Sequence, residues 1–157
     1  MPDLGPLHPQ VVHFVVALGI VGVVLRLISL TGKLTWTRPA GAALLIVAAG
    51  ASVVAAMSGS DAHGAVERIP GAREAVEEHE RLGEQTRNLF LAVAALEVVA
   101  LLLARREKVQ RGLYIASGLA GIAACWVLYE AGDHGGKIVY SYAGGVETVA
   151  RISNRTS

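Results

Sequence analysis

Apolar residues run almost unbroken through four stretches of the chain, each bounded by short polar segments. The first reads "PQVVHFVVALGIVGVVLRLISL" (residues 9–30) and the second "PAGAALLIVAAGASVVAAMSGS" (39–60). The third, "NLFLAVAALEVVALLLA" (88–104), is the shortest, and the fourth is "GLYIASGLAGIAACWVLYEAG" (112–132). A helix needs about 20 residues to cross a bilayer, and irregular backbone facing lipid is not tolerated there. The pattern therefore predicts an all-α membrane protein, a single integral domain over residues 1–157 built as a four-helix up-down bundle. Prolines 9 and 39 stand at the starts of the first two spans, where a missing N–H does no harm.

The polar segment before the third span, "DAHGAVERIPGAREAVEEHERLGEQTR", has its turn at Pro70-Gly71 and becomes helical and charged from Ala72. Residues 72–104 are expected to form one long helix, so that an extramembrane extension precedes the third span. Beyond Gly132, "HGGKIVYSYAGGVETVARIS" is punctuated by glycine and alternates apolar with polar residues, which predicts a short strand-like C-terminal tail.

Composition supports a membrane chain. The sequence is 53% hydrophobic and 17% charged, with a mean hydropathy of +0.48. A net charge of +1, without a basic patch interleaved with aromatics, argues against nucleic acid. The single cysteine, Cys125, excludes an internal disulfide and a cysteine-rich metal motif. Lysine and arginine set the orientation. Lys33, Arg38, Arg105, Arg106, Lys108 and Arg111 flank two of the connections, whereas the N-terminal tail carries neither residue type. Density of positive charge then predicts that both termini and the middle segment lie on the non-cytoplasmic side. No cleavable signal peptide is expected, since the N-terminus lacks a basic region.

All five histidines fall at that same end of an up-down bundle. His8 and His13 open the first helix, His63 follows the second, His79 precedes the third span and His134 follows the fourth. Imidazole is the commonest metal ligand, which makes the five a candidate metal-binding set, with Asp61, Glu78, Glu80 and Asp133 near enough in sequence to orient them. His13 and His79 are expected to pair, because both sit on helices, with His63 and His134 in reserve. Within the third span, Glu97 should face the bundle interior, as a carboxylic acid bonded to Ser52, Ser117 or backbone. Together with Arg26 it would carry the third-ranked reading, a transporter. No hydrolytic triad, metalloprotease motif, P-loop or dinucleotide fingerprint is present, so no catalytic residue is assigned and activity as an enzyme on its own is not expected.

The stretch "LHPQVVHFVVAL" resembles the opening of an uncharacterised bacterial family of four-helix membrane proteins, a domain of unknown function. The Gly59 to Ala62 turn, "EEHERLG" before the third span and "HGGKIVY" after the fourth are similar too. Val15 stands where that family usually has proline, and Tyr142 stands where a further histidine often occurs. The resemblance implies a location in the bacterial inner membrane and, because such domains are sometimes joined to c-type cytochromes, redox work. Two readings follow. In the first, histidines on different helices ligate b-type haem in an electron-transfer or redox-complex subunit. Small residues such as Gly19, Gly22, Gly118 and Gly121 would make room for the macrocycle or for close helix contact. In the second, the same residues bind zinc or copper, or the subunit is purely structural. The expected partners are the lipid bilayer and redox subunits such as a c-type cytochrome, with self-association left open.

Overall fold

The computed structural model describes residues 5–66 and 69–142, with the side chains of all of these except 62–66. After a short 3-10 turn, Gly5–Leu7, four helices follow: α1 (His8–Ser29), α2 (Thr37–Val66), α3 (Arg73–Leu102) and α4 (Glu107–Tyr142). Each is long and apolar enough to cross a membrane. No strand occurs among the described residues. Pro9 lies in the first turn of α1. Two of the three turns that reverse the chain use Gly32 (φ 71°) and Gly71 (φ 83°), left-handed conformations that a side chain disfavours.

The helices pack in a ring: α1 on α2, α2 on α3, α3 on α4, and α4 back on α1. Val15, Val23, Leu45, Phe90, Val93 and Leu128 fill the centre. Phe14, Leu119 and Trp126 are 63, 64 and 66% exposed, an apolar exterior suited to lipid rather than water. Close approach of the helices depends on glycine. A Cβ on Gly19 would lie 2.5 Å from Phe90 Cζ, one on Gly22 3.0 Å from Leu45, and one on Gly121 2.7 Å from Val23. A Cβ on Gly118 would lie 3.2 Å from Leu27. The four glycines thus serve helix contact, in the manner of small residues at membrane helix interfaces.

Two features of the extramembrane end differ in how well the sequence announces them. The long third helix with its wet extension forms as expected. The tail does not: the segment expected to be strand-like is helical as far as Tyr142, and residues 143–157 lie outside the described set. The reason is tertiary. Ala131, Gly135, Ile138 and Tyr142 recur at three- or four-residue spacing and lie on α3. Ala72, Val76 and Ile138 form a small second core, with Ile69, Ala75 and Tyr142 packed around it. In "HGGK" Gly135 allows the His79 ring of α3 to lie against α4, and neither glycine breaks the helix.

Candidate functional site

Along the bundle axis, α1 and α3 face each other through three contacts. His8 meets His79, Gly19 meets Phe90, and Arg26 meets Glu97. Each contact joins residues 71 positions apart, the mark of two parallel helices held in one register. The first and last contacts are separated by five full turns at 3.6 residues each, about 27 Å along the axis. A polar site therefore stands at each end of a span close to the hydrocarbon thickness of ~30 Å.

At the first end, the His8 and His79 ring centroids are 6.2 Å apart and the ring planes nearly perpendicular, at 89°. Both rings are partly buried. His8 Nδ1–H donates to Ala55 O at 3.0 Å and to Ser58 Oγ at 3.1 Å, while the Ser58 hydroxyl itself donates to Ala55 O. His79 Nδ1–H donates to Ala131 O at 2.9 Å. A carbonyl only accepts, so the proton of each neutral ring sits on Nδ1 and Nε2 keeps its lone pair. Glycine then brings each ring onto the neighbouring backbone. A Cβ on Gly59 would lie 3.1 Å from His8 Cε1, and one on Gly135 would lie 2.9 Å from His79 Cε1. The two halves use the same device: a histidine within the first two turns of one helix, a carbonyl acceptor on its partner helix, and a glycine one turn beyond that acceptor. The two imidazoles are thus approximate two-fold mates about the bundle axis.

The other expected ligands are placed differently. His13 is exposed and its Nδ1–H donates to Pro9 O of its own helix, so the partner of His79 is His8 and not His13. The face explains it: His8 and Arg26 are five whole turns apart and share the inner face of α1, while His13 falls on the opposite side. His134 Nδ1–H donates to Glu130 O, also within its own helix. His63 falls where side chains are not described. Asp133 is paired with Lys137 at 2.7 Å and Glu78 with Arg81, while Asp61 is exposed. Nδ1 of each histidine of the pair is therefore oriented by a backbone carbonyl, with Ser58 Oγ beside His8 as well. Among the described residues, no third His, Cys, Asp or Glu joins the pair to complete a metal-ligand group.

Two small cavities flank the pair. One, about 80 Å³, has His8, Val12, Val15, Gly83, His79 and Leu128 in its wall and is almost wholly apolar. The other, about 160 Å³, opens past Gly59 and Ser60 toward Glu80, Glu84 and Arg87.

At the opposite end, Glu97 does face the interior, and Ser117 Oγ–H donates to it as anticipated. Its main partner is Arg26, which the sequence joins to it only under the transporter reading. Arg26 donates through Nε to Glu97 Oε1 at 2.7 Å and through Nη2 to Oε2, and both side chains are 0% exposed. Arg26 further donates to Ser29 Oγ at 2.9 Å and to Arg38 O at 3.3 Å, and its guanidinium lies 3.9 Å from the centroid of the Tyr114 ring. The Ser52 hydroxyl donates to Ala49 O of its own helix at 2.7 Å. A fully buried charge in a membrane bundle requires such a partner. The signal was available in the sequence, since Arg26 and Glu97 repeat the separation of His8 and His79.

Compared with known proteins, residues 4–148 match a family model described as "Predicted membrane protein (DUF2231)". The comparisons with curated proteins and with solved structures return no match.

Proposed function

The chain belongs to this family of predicted membrane proteins, DUF2231, and from that premise we propose that it is a redox-complex subunit carrying a metal centre between His8 and His79. One observation carries the reading. Two imidazoles from diagonally opposite helices converge at 6.2 Å, each with Nδ1–H held by a backbone carbonyl and Nε2 left as a donor to metal. Fixing one ring nitrogen by an outer hydrogen bond is how proteins orient and strengthen a metal-bound histidine. The approximate two-fold relation of the rings suits a centre lying on the bundle axis.

Ligand number favours haem b as the occupant. A zinc site takes about four ligands, three or more from protein, whereas haem brings nitrogen ligands of its own and would ask the chain for only two imidazoles. When bound, haem supplies an iron that gains and loses one electron. The chain's part would be to hold the group through His8 and His79 and, through Val12, Val15 and Leu128, to keep water from that side of the pair. Cavity size favours the second reading, a single copper or zinc ion. The two spaces of about 80 and 160 Å³ fall short of the roughly 300 Å³ at which small-molecule sites begin. Haem thus needs the outer ends of the two helical hairpins to separate, and an ion does not.

The basic connections 30–36 and 103–106 lie at the Arg26 end, and that charge asymmetry supports a reading in which the histidine pair faces the non-cytoplasmic side of a bacterial inner membrane. A centre at that face, rather than midway across, is positioned to exchange electrons with an external redox partner such as a c-type cytochrome. The test is a visible spectrum of detergent-purified protein, before and after dithionite, together with metal analysis. Low-spin bands that vanish in His8→Ala and His79→Ala but persist in His13→Ala establish bis-histidine haem. A colourless protein holding stoichiometric copper or zinc, lost in the same two variants, establishes the ion. Colourless and metal-free protein from cells supplied with haem and metals refutes both.

A further inference from the structure

A further cavity lies at the far end from the histidines, where the α1–α2 and α3–α4 connections meet. It measures about 470 Å³, and its wall includes Arg38, Arg111, Glu107 and Tyr114. Several polar groups around it are already committed. The Ser29 hydroxyl donates to Arg26 O, the Thr31 hydroxyl to Ile28 O, and the Gln110 amide to Ala100 O at 2.9 Å.

Three groups keep donors to spare. Arg38 and Arg111 form no ion pair among the described residues and are exposed. Tyr114, 2% exposed, has a hydroxyl buried without any hydrogen-bond partner. Burying a hydroxyl unpaired costs about 1–3 kcal/mol, so this one calls for an acceptor. The Tyr114 ring is itself held between cations, with the Arg26 and Arg38 guanidiniums 3.9 and 5.5 Å from its centroid. Two free guanidinium forks and an orphan hydroxyl around one hollow call for a ligand rich in acceptor oxygens and carrying negative charge. Guanidinium matches phosphate in a paired geometry.

We propose that this cavity binds phosphate, either the headgroup phosphate of a phospholipid in the adjoining leaflet or a free phosphate ion. Basic hollows between membrane helices are general sites for anionic headgroups. Exposed apolar side chains of the same helix ends, such as Leu102 and Val109, leave a path for acyl chains along the bundle surface. Glu107 at the wall favours a headgroup that presents hydrogen-bond donors beside its phosphate, as glycerol and ethanolamine do.

The full chain, purified in detergent, is titrated by native mass spectrometry with phosphatidylglycerol, with phosphatidylethanolamine and with inorganic phosphate. The double variant Arg38→Gln/Arg111→Gln should weaken binding roughly thirtyfold, given two basic contacts near a headgroup. Both residues are exposed, so circular dichroism of the variant should match the parent. The control Lys33→Gln/Lys108→Gln removes the same charge from the same end, outside the cavity wall, and should cost less than threefold. One lipid retained, and displaced weakly by inorganic phosphate, assigns the headgroup. Saturable binding of inorganic phosphate without lipid retention assigns the free ion. Equal loss in the two double variants, or no saturable binding of any of the three ligands, overturns the proposal.

Discussion

Replacing Glu97 by glutamine changes one atom's identity and nearly nothing in volume, yet it should be among the most damaging substitutions in the bundle. Arg26 is fully buried and its guanidinium faces both carboxylate oxygens of Glu97. A pair of unit charges about 4 Å apart is worth about 4 kcal/mol at an effective dielectric of 20. Removing one member of a buried pair costs about 3–5 kcal/mol, because the other charge stays behind without a counterion. The remaining acceptors of Arg26, Ser29 Oγ and Arg38 O, are neutral and cannot replace it. We expect Glu97→Gln to lower the unfolding free energy by about 3 kcal/mol or more. The double variant Arg26→Met/Glu97→Leu should be more stable than either single variant, since a buried ion pair exchanged for apolar residues is often neutral. SDS-driven unfolding from dodecylmaltoside micelles, followed by tryptophan fluorescence, measures all four corners of the cycle. A Glu97→Gln protein within about 0.5 kcal/mol of the parent, the range of ordinary surface substitutions, would refute the ion pair as a structural element. So would a cycle with no coupling.

Alanine at Gly135 or Gly59 places a Cβ 2.9 Å from His79 Cε1 or 3.1 Å from His8 Cε1. Each should displace one imidazole and reduce bound metal or haem while circular dichroism stays helical. Gly19→Ala, whose Cβ would stand 2.5 Å from the fully buried Phe90 ring, should cost about 1–3 kcal/mol in the same unfolding assay. For orientation, an impermeant thiol reagent applied to intact cells should label Glu77→Cys and spare Glu107→Cys on a Cys125→Ser background. The reverse result would invert the assignment of sides.

Hydropathy alone determines the four helices and their up-down order, because a bilayer leaves the backbone no other way to satisfy itself over that length. The charge pattern of residues 72–87 likewise announces the extension of α3. The end of α4 was not legible in the same way: "KIVYSY" alternates like a strand, and only the face offered by Val76 and Ala72 makes a helix of it. At the site, the sequence located the histidines at one end of the bundle but chose His13 for its place on a regular helix. Helical phase would have chosen otherwise. A buried arginine fixes the inner face of α1, and His8, five turns away, must share it. What no periodicity could supply is the pairing across the axis. His8 finds His79, and Arg26 finds Glu97, because two parallel helices lock at a single offset, and that offset is set by Phe90 seated on Gly19. Close packing of large on small side chains admits one register and excludes its neighbours. Register, and with it the chemistry on the axis, was therefore decided only when all four helices came together.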